Sequence, residues 1–184
     1  TTIVMGNDVY GGSYRLISKV LAKWGIRHAV VDMGDTAKVV AAVESAAAQG
    51  PVMVWLETPS NPLMKVSDIA AIAEVAHGHD ALLVVDNTFA TPYLQTPLAL
   101  GADVVVHSTT KYIGGHSDVI GGALVIKDPE LGAQVQFQQF AAGAVNGPWD
   151  AYLTTRGLNT LGVRLDRHLA NALSVAEWLS GRPE

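Results

Sequence analysis

The chain has 184 residues, of which 49% are hydrophobic and 16% charged, and its net charge is −5, a composition typical of a globular domain with one core. Its Lys and Arg residues form no basic stripe, and no apolar run approaches the roughly 18 residues that span a membrane, so we expect neither a nucleic-acid nor a membrane protein. The absence of cysteine excludes a disulfide framework and a cysteine nucleophile and fits a cytoplasmic protein.

Strand-like and helix-like segments alternate over the first two thirds of the chain. Asp35 and Ser67 are the expected N-caps of two helices, and Gly25 is expected to end another. The predicted strands cover residues 1–5, 27–33, 52–57, 81–86, 102–108 and 121–126, and the predicted helices between them cover residues 11–25, 35–49 and 67–77.

From residue 129 onward the pattern is helical, with segments at 129–143 and 148–158 and a long amphipathic stretch from 159. Several of the earlier strands are apolar on both faces. These features predict an α/β fold with a mostly parallel sheet and helices on both faces. No flexible linker or composition shift marks an internal boundary, so we expect a single domain.

Polar side chains gather where the predicted strands end. Ligands of open α/β sheets bind beyond the carboxyl ends of the strands, so these residues form the candidate site. They are Asn7, Asp8 and Tyr10 after the first strand, Glu57, Ser60 and Asn61 after the third, Asp86, Asn87 and Thr88 after the fourth, and His107, Ser108, Thr110 and Lys111 after the fifth.

The residue types in this set suit pyridoxal phosphate. That cofactor needs an amine for a Schiff base and an acid facing its ring nitrogen, and Lys111 and Asp86 supply these groups. Ser108 and Thr110 carry hydroxyls suited to phosphate oxygens, and the ring of Tyr10 can stack on the cofactor. We predict no metal site.

Each of these residues also has a purely structural interpretation. Lys111 can be a surface lysine that follows a strand, and Asp86 can cap a turn, because Asp-Asn is common in turns. Ser108 and Thr110 can cap a helix or turn, and Tyr10 can be half-buried packing.

Five motifs together carry a resemblance to a known family. They are "DVYGGSYR", "ETPSNP", "VDNTFATP", "DVVVHSTTKYIGGHSD" and "GAVNGPWDAYLTTRGLNTL", in that order. With them the sequence resembles the pyridoxal-phosphate-dependent enzymes of Cys/Met metabolism, which include cystathionine γ-synthase, cystathionine γ-lyase, methionine γ-lyase and the homoserine-ester sulfhydrylases. The resemblance covers essentially the whole chain and implies the large, cofactor-binding domain of a fold-type I transferase.

The resemblance implies a role for each matching residue. Lys111 forms the imine with the cofactor, in a cleft shielded from water, and moves protons between substrate carbons. For the other residues it implies that Asp86 pairs with the pyridine nitrogen, Tyr10 stacks on the ring and is a candidate acid or base, Ser108 and Thr110 bind the phosphate, Asn61 donates to the phenolate oxygen, and Thr88 supports the site.

Two further residues and the flanking histidines receive weaker assignments. Arg15 matches a position that meets the distal end of the substrate, with a solvated role equally open. Glu57 is expected to organise the "TPSNP" loop, and His107 and His116 are expected to be structural hydrogen-bonding residues.

The reaction implied is elimination or replacement at the γ-carbon of a sulfur amino acid or homoserine ester. Gly12 stands where methionine γ-lyases often have cysteine, which favours cystathionine γ-synthase or γ-lyase over methionine γ-lyase or a homoserine-ester sulfhydrylase. Two alternatives stay open, an enzyme that acts at the β-carbon and an inactive fragment or assembly module that keeps the fold.

The resemblance also implies partners and further segments. Family members act on amino acids, are cytoplasmic, and form homotetramers arranged as dimers of dimers. We expect residues 1–184 to be the cofactor-binding domain, incomplete at its N-terminus, and residues 159–184 to form a helix leading toward a C-terminal domain.

Overall fold

A computed structural model describes residues 1–182 of the chain. Its strands are β1 (Thr2–Gly6), β2 (Arg27–Val31), β3 (Val52–Glu57), β4 (Leu82–Asp86), β5 (Val104–Ser108) and β6 (Gly122–Ile126). Its α-helices are α1 (Gly11–Arg15), α2 (Thr36–Ala47), α3 (Ile69–His77), α4 (Thr91–Leu94), α5 (Pro129–Ala142), α6 (Pro148–Leu158) and α7 (Leu161–Ser180). Short π-helical turns cover Leu16–Val20 and Thr109–Ile113, and 3₁₀ turns cover Leu21–Trp24 and Pro97–Leu100.

The six strands form one sheet in the order β2-β1-β3-β4-β5-β6. Every pair from β2 to β5 in this order is parallel, so the carboxyl ends of these strands meet at one edge. In the register, Asp86 lies opposite Glu57 of β3 on one side and Val106 of β5 on the other. The predicted mostly parallel sheet is confirmed.

The strand order reverses direction at β1. The chain passes from β1 outward to β2, then returns past β1 to form β3 and continues to β4 and β5. The carboxyl ends of β1 and β3 therefore flank the topological switch point, where open α/β sheets bind ligands. The loops that follow these two strands carry Tyr10 and Asn61.

Two apolar clusters cover the two faces of the sheet. Alternate residues of β1 point to opposite faces, with Val4 in the larger cluster and Ile3 and Met5 in the smaller one. The larger cluster includes buried residues of α2 and α3, and the smaller includes Ile17, from the segment between β1 and β2. Helical segments thus cover both faces, as predicted.

The first predicted helix is less regular than its sequence pattern. Instead of one helix over residues 11–25, the chain forms α1, a π turn and a 3₁₀ turn, and Gly25 ends the segment with a φ of 83°. Ile17 is its buried side chain, whereas Leu16 and Trp24 are exposed. Packing thus constrains this segment mainly at Ile17, which leaves the rest free to depart from the regular α-helical period.

One of the two predicted N-caps is confirmed and the other is wrong. The side chain of Asp35 accepts a hydrogen bond from the Lys38 N–H, 3.2 Å away. Helix α3 is capped by Asp68 instead of Ser67, because the Asp68 carboxylate accepts from the Ala71 N–H at 3.1 Å. The Ser67 N–H donates to the Thr58 hydroxyl and belongs to the preceding loop.

The described residues divide into two compact units. The first contains Thr1–His107 and Gly122–Val145, and the second contains Ser108–Gly121 and the segment that begins at Asn146. No linker marks these divisions in the sequence, which predicts a single domain. Helix α7 accounts for most of the predicted helix at 159–184, whose last two residues lie outside the described part. Within residues 1–182, no helix has the length and apolarity needed to cross a bilayer.

Candidate active site

A buried carboxylate joins the loops that follow β1 and β3. Asp8 accepts hydrogen bonds from the Ser60 hydroxyl and from the Leu63 N–H, the latter at 3.0 Å. The Ser60 oxygen in turn accepts from the Lys65 N–H at 2.9 Å. These contacts hold the loop that contains Asn61, which is half-buried.

A second carboxylate holds Tyr10. The Tyr10 N–H, immediately before α1, donates to Oε2 of Glu57 at 2.8 Å. Tyr10 is 53% exposed, so its packing is partial and the ring stays accessible. A Cβ added at Gly12 would lie 2.3 Å from Cε1 of the Tyr10 ring, so the ring occupies space that a side chain at position 12 would need.

Glu57 lies in an unusual electrostatic environment for a carboxyl. Burial raises the pKa of Glu57 to about 7, and the charges of Asp86 and Asp8 act in the same direction. The hydrogen bond from Tyr10 opposes these effects and lowers the pKa. A carboxyl with a pKa in this range changes its charge near neutral pH.

Asp86 ends β4 at the same edge of the sheet. Its Oδ1 accepts from the Thr88 N–H at 3.0 Å, so Thr88 supports the carboxylate through its main chain. This contact is also the turn-capping bond considered as the structural alternative, and the remaining oxygen of a carboxylate can still face a cationic ring. The two interpretations of Asp86 are therefore compatible.

An amide pair that the sequence did not reveal fixes the segment after Asp86. Asn87 is fully buried, and its Nδ2 donates to the Gln95 carbonyl at 2.9 Å. Nε2 of Gln95 donates to Oδ1 of Asn87 and to the Thr58 carbonyl. No periodicity or motif in the sequence signals the role of Gln95, because its bond to Thr58 forms only when segments 37 residues apart meet.

His107, on β5, only partly matches its predicted role. Burial lowers the pKa of His107, an effect opposed by the Asp86 charge and by a hydrogen bond with the Asn87 main chain. Within residues 1–182, however, its buried Nδ1 has no hydrogen-bond partner. His107 is therefore a hydrogen-bonding residue through one side of its ring only.

Lys111 lies in the second unit, on the π turn that follows β5. Its φ of −94° and ψ of −122° depart from helical values. The Lys111 side chain is exposed in this structure, whereas Thr109 and Ile113 of the same turn are buried, and a cleft shielded from water around Lys111 stays a prediction. Across the described range, no hydrogen bond or ion pair engages the Lys111 amine, which leaves it available to react with a carbonyl.

The hydroxyls beside Lys111 are partly used by the main chain. Oγ1 of Thr110 accepts from the Gly121 N–H at 3.0 Å and donates to the Gly121 carbonyl at a long 3.3 Å. This pattern agrees with the structural alternative for Thr110, although the long donor bond can be exchanged for a phosphate oxygen. Ser108 is half-buried. Thr109, which is not among the residues predicted for the site, has a buried hydroxyl without a partner in the described part of the chain.

The guanidinium of Arg164, on α7, stabilises the turn that carries Lys111, here called the lysine turn (Thr109–Ile113). Arg164 donates from Nη1 to the Tyr112 carbonyl at 2.7 Å and from Nη2 to the Ile113 and Gly157 carbonyls at 3.3 and 2.8 Å. Gly115 has a φ of 75°, and a Cβ there would lie 2.3 Å from Nη1 of Arg164. Gly115, the second glycine after Lys111, is the sequence feature that could have indicated this close approach.

His116 forms the structural hydrogen bond predicted for it, and Arg15 remains compatible with either a substrate-binding or a solvated role. Nδ1 of His116 lies 2.9 Å from the Gly114 carbonyl, a structural hydrogen bond. Arg15 is exposed in the last turn of α1. This position suits a solvated side chain, and its contact with substrate stays a prediction.

The residue types present fit pyridoxal phosphate. The first unit supplies an exposed aromatic ring at Tyr10, a half-buried acid at Asp86 and an amide at Asn61, while the second supplies the Lys111 amine and neighbouring hydroxyls. The arrangement of the two sets around one cofactor stays a prediction.

Comparison with known proteins decides the family. The model of the family described as "Cys/Met metabolism PLP-dependent enzyme" matches residues 1–184. The chain belongs to this family. The predicted resemblance is therefore confirmed, and it extends over the whole chain.

Related proteins in this family carry several enzyme names. The chain is 52% identical to cystathionine gamma-synthase of Mycobacterium leprae, over 98% of this chain and 46% of that protein. It is 50% identical to cystathionine beta-lyase of Lactococcus lactis subsp. cremoris, over 96% of this chain and 46% of that protein. The chain thus spans about half the length of the curated relatives it matches.

A solved structure confirms the fold. Cystathionine gamma-lyase of Lactobacillus plantarum, complexed with L-serine, superposes with a TM-score of 0.94 at 46% identity, covering 99% of this chain and 47% of that one. At this identity and similarity, the chain has the α/β fold of the pyridoxal-phosphate-dependent family.

Proposed function

We propose that the protein carrying this chain uses pyridoxal phosphate for elimination or replacement at the γ-carbon of a sulfur amino acid or homoserine ester. The observation that supports this most strongly is the family match over the whole chain, which contains an acid at the end of one strand and a lysine on the turn after another. Asp86 ends β4, and Lys111 follows the end of β5 by three residues, within a family match that covers the whole chain.

Lys111 acts in this proposal as nucleophile and proton carrier. Its amine would hold the cofactor covalently, and when free it would remove and return protons at the substrate carbons. When bound, pyridoxal phosphate supplies the electron sink that stabilises negative charge at the substrate α-carbon. The negative charge of Asp86 would keep a proton on the ring nitrogen, and the Thr88 N–H holds that carboxylate in place.

The other residues bind and orient. The exposed ring of Tyr10 offers a flat surface for stacking, and the Tyr10 hydroxyl is a candidate acid or base near the leaving group. Asn61 donates to the phenolate oxygen, and Ser108 and Thr110 donate to the phosphate. Arg15, in the last turn of α1, contributes charge for the distal end of the substrate.

The names of the relatives support the transsulfuration class, and Gly12 favours a cystathionine γ-synthase or γ-lyase over a methionine γ-lyase or a homoserine-ester sulfhydrylase. A second candidate is cleavage at the β-carbon, because a relative at 50% identity is a cystathionine beta-lyase. We also propose that the protein is a cytoplasmic homo-oligomer, a dimer of dimers, as the family resemblance implies.

The test of the proposed function is spectroscopic. We expect the full-length protein mixed with pyridoxal phosphate to show an absorption band near about 420 nm. Lys111→Ala abolishes this band, while Lys127→Ala, which removes another exposed lysine, leaves it unchanged. A folded protein without the band, or a band that survives Lys111→Ala, contradicts the proposal and favours an inactive fragment or assembly module.

Product analysis then separates the two reaction positions. With cystathionine as substrate, cleavage at the γ-carbon releases cysteine, whereas cleavage at the β-carbon releases homocysteine. Homocysteine as the main product would replace the γ-carbon proposal with the second candidate.

A further inference from the structure

Glu57 connects the residues that the proposed function uses at the switch point. It ends β3, beside the last residue of β4, and Asp86 is its partner in the strand register. Adjacent strands are separated by about 4.8 Å, so the two acidic residues are close neighbours on the sheet edge. Glu57 also reaches across to the loop after β1, where it accepts the Tyr10 N–H.

The contact with Tyr10 is more than a loop anchor. Tyr10 precedes α1, and its carbonyl accepts the Tyr14 N–H at 3.2 Å, whereas no side chain caps the helix, so the contact with Glu57 is what fixes the N–H side of Tyr10. The hydrogen bond from the Tyr10 N–H to Glu57 spans 47 residues of sequence and fixes the peptide from which the exposed Tyr10 ring projects. The "TPSNP" loop, by contrast, is held by Asp8 and Ser60.

A half-buried acid at this position is electrostatically costly. Two carboxyls occupy adjacent strand ends, and a third, on Asp8, lies near enough to affect the pKa of Glu57. A side chain needed only to fill space here would be more stable if apolar, because burying charge next to like charge is unfavourable. What the carboxyl supplies and an apolar group cannot is an acceptor for the Tyr10 N–H.

From this geometry we propose that Glu57 is a positioning residue, which holds the Tyr10 main chain so that the aromatic ring lies ready to stack on the cofactor. The inference rests on the proposed function and extends it to a residue that does not itself contact the reacting atoms. It also corrects the role predicted from the sequence, in which Glu57 organises the loop that follows it.

The first experiment measures amide hydrogen exchange of Tyr10 by NMR in the cofactor-free, full-length protein. Glu57→Ala removes the acceptor, and we expect Tyr10 amide exchange to accelerate about tenfold. Glu57→Gln keeps an oxygen acceptor and is expected to stay within about threefold of the wild type. Glu74→Ala is the matched control, because Glu74 is an exposed glutamate on α3.

The second experiment measures ring stacking with pyridoxal phosphate added. Glu57→Ala is expected to raise the cofactor dissociation constant about three- to tenfold and to weaken the circular dichroism of the Lys111-dependent band. Glu57→Gln is expected to restore both. Should Glu57→Ala fail to fold, Glu57→Met keeps the volume without an oxygen and is expected to give the same result.

These outcomes separate the inference from the proposed function. If the wild type shows no Lys111-dependent band, the proposed function fails, while the Tyr10 exchange rates still test the contact with Glu57. If the band is present and Glu57→Ala changes neither Tyr10 exchange nor cofactor affinity, the positioning role is overturned and the proposed function stands.

Discussion

The loops at the switch point and the lysine turn are stabilised by charges of opposite sign. In the first unit, carboxylates of Asp8 and Glu57 accept hydrogen bonds from the loops that carry Asn61 and Tyr10. In the second unit, the guanidinium of Arg164 donates to main-chain carbonyls of the turn that carries Lys111. Both regions lie beyond strand ends, where the sheet no longer satisfies main-chain polar groups.

This difference has a consequence for how each region responds to pH and mutation. A guanidinium stays charged throughout the accessible pH range and offers several donors in one rigid plane. A carboxylate offers only acceptors and can be neutralised by protonation. We therefore expect the stability of the lysine turn to depend on the shape and number of donors of the Arg164 side chain. The stability of the switch-point loops is expected to depend on the protonation of their carboxyls.

The largest effect is expected at Arg164. Arg164→Ala removes the guanidinium donor from the Tyr112 and Ile113 carbonyls and one of the donors to the Gly157 carbonyl, and we expect a loss of about 3 kcal/mol in the free energy of unfolding. Arg164→Lys recovers only part of this, because an ammonium cannot reproduce the planar set of donors. Urea denaturation measures both, with the exposed Arg167→Ala as control. Equal stability of Arg164→Ala and Arg167→Ala would show that the hydrogen bonds of Arg164 do not stabilise the turn.

A smaller loss of stability is expected from Gly157→Ala in α6. The added Cβ would lie 2.2 Å from the Ile113 carbonyl oxygen, so α6 must move away from the lysine turn, at a cost of about 2 kcal/mol. Gly132→Ala in α5 meets no atom within 4 Å and is expected to gain up to about 1 kcal/mol from helix propensity. Thermal unfolding of the pair compares the two, and changes of the same sign would argue against close packing at Gly157.

Removal of the Asp8 contact is expected to have a moderate effect. Ser60→Ala takes away the hydroxyl that donates to the Asp8 carboxylate and is expected to destabilise the protein by about 1 to 2 kcal/mol. A double-mutant cycle with Asp8→Asn isolates this bond from the contact of Asp8 with the Leu63 N–H. Strictly additive effects would show that the two side chains do not interact energetically.

The smallest effect is a pH dependence that originates at Glu57. Because the pKa of Glu57 is raised to about 7, the folded state binds more protons than the unfolded state between the ordinary pKa of 4.5 and that value. Stability from this residue is thus greatest below pH 4.5 and falls as pH rises through 7, by about 1 kcal/mol after allowance for solvent screening.

Urea midpoints measured from pH 4.5 to 8 test this dependence. Asp86, Asp8, Asp32 and Lys65 also lie at or near this edge of the sheet, so Glu57→Gln is needed to isolate the contribution of Glu57. The variant is expected to flatten the profile relative to the wild type. An unchanged slope would place the titrating group elsewhere.

Much of the first unit follows from local pattern. The strand Val52–Glu57 has the predicted bounds, and Asp35 caps α2 as expected, because strand apolarity and helix capping are set by neighbouring residues. The segment after β1 departs from its predicted regular helix. Asp68 replaces Ser67 as a cap because α3 begins at Ile69, while Ser67 belongs to the preceding loop, where its N–H donates to Thr58. The contact with Thr58 joins two parts of that loop and is invisible in a linear pattern.

By itself, the sequence determined the α/β class, the polar strand ends and the candidate chemistry of Lys111 and Asp86, because alternation, apolarity and residue type are local properties. Only the tertiary structure decided which side chains hold those ends. Glu57 reaches Tyr10, Gln95 reaches Thr58 and Arg164 reaches the lysine turn across long separations in the chain. Main-chain groups beyond a strand end take whichever partner the folded chain brings within hydrogen-bond distance, and spacing in the sequence does not encode that partner.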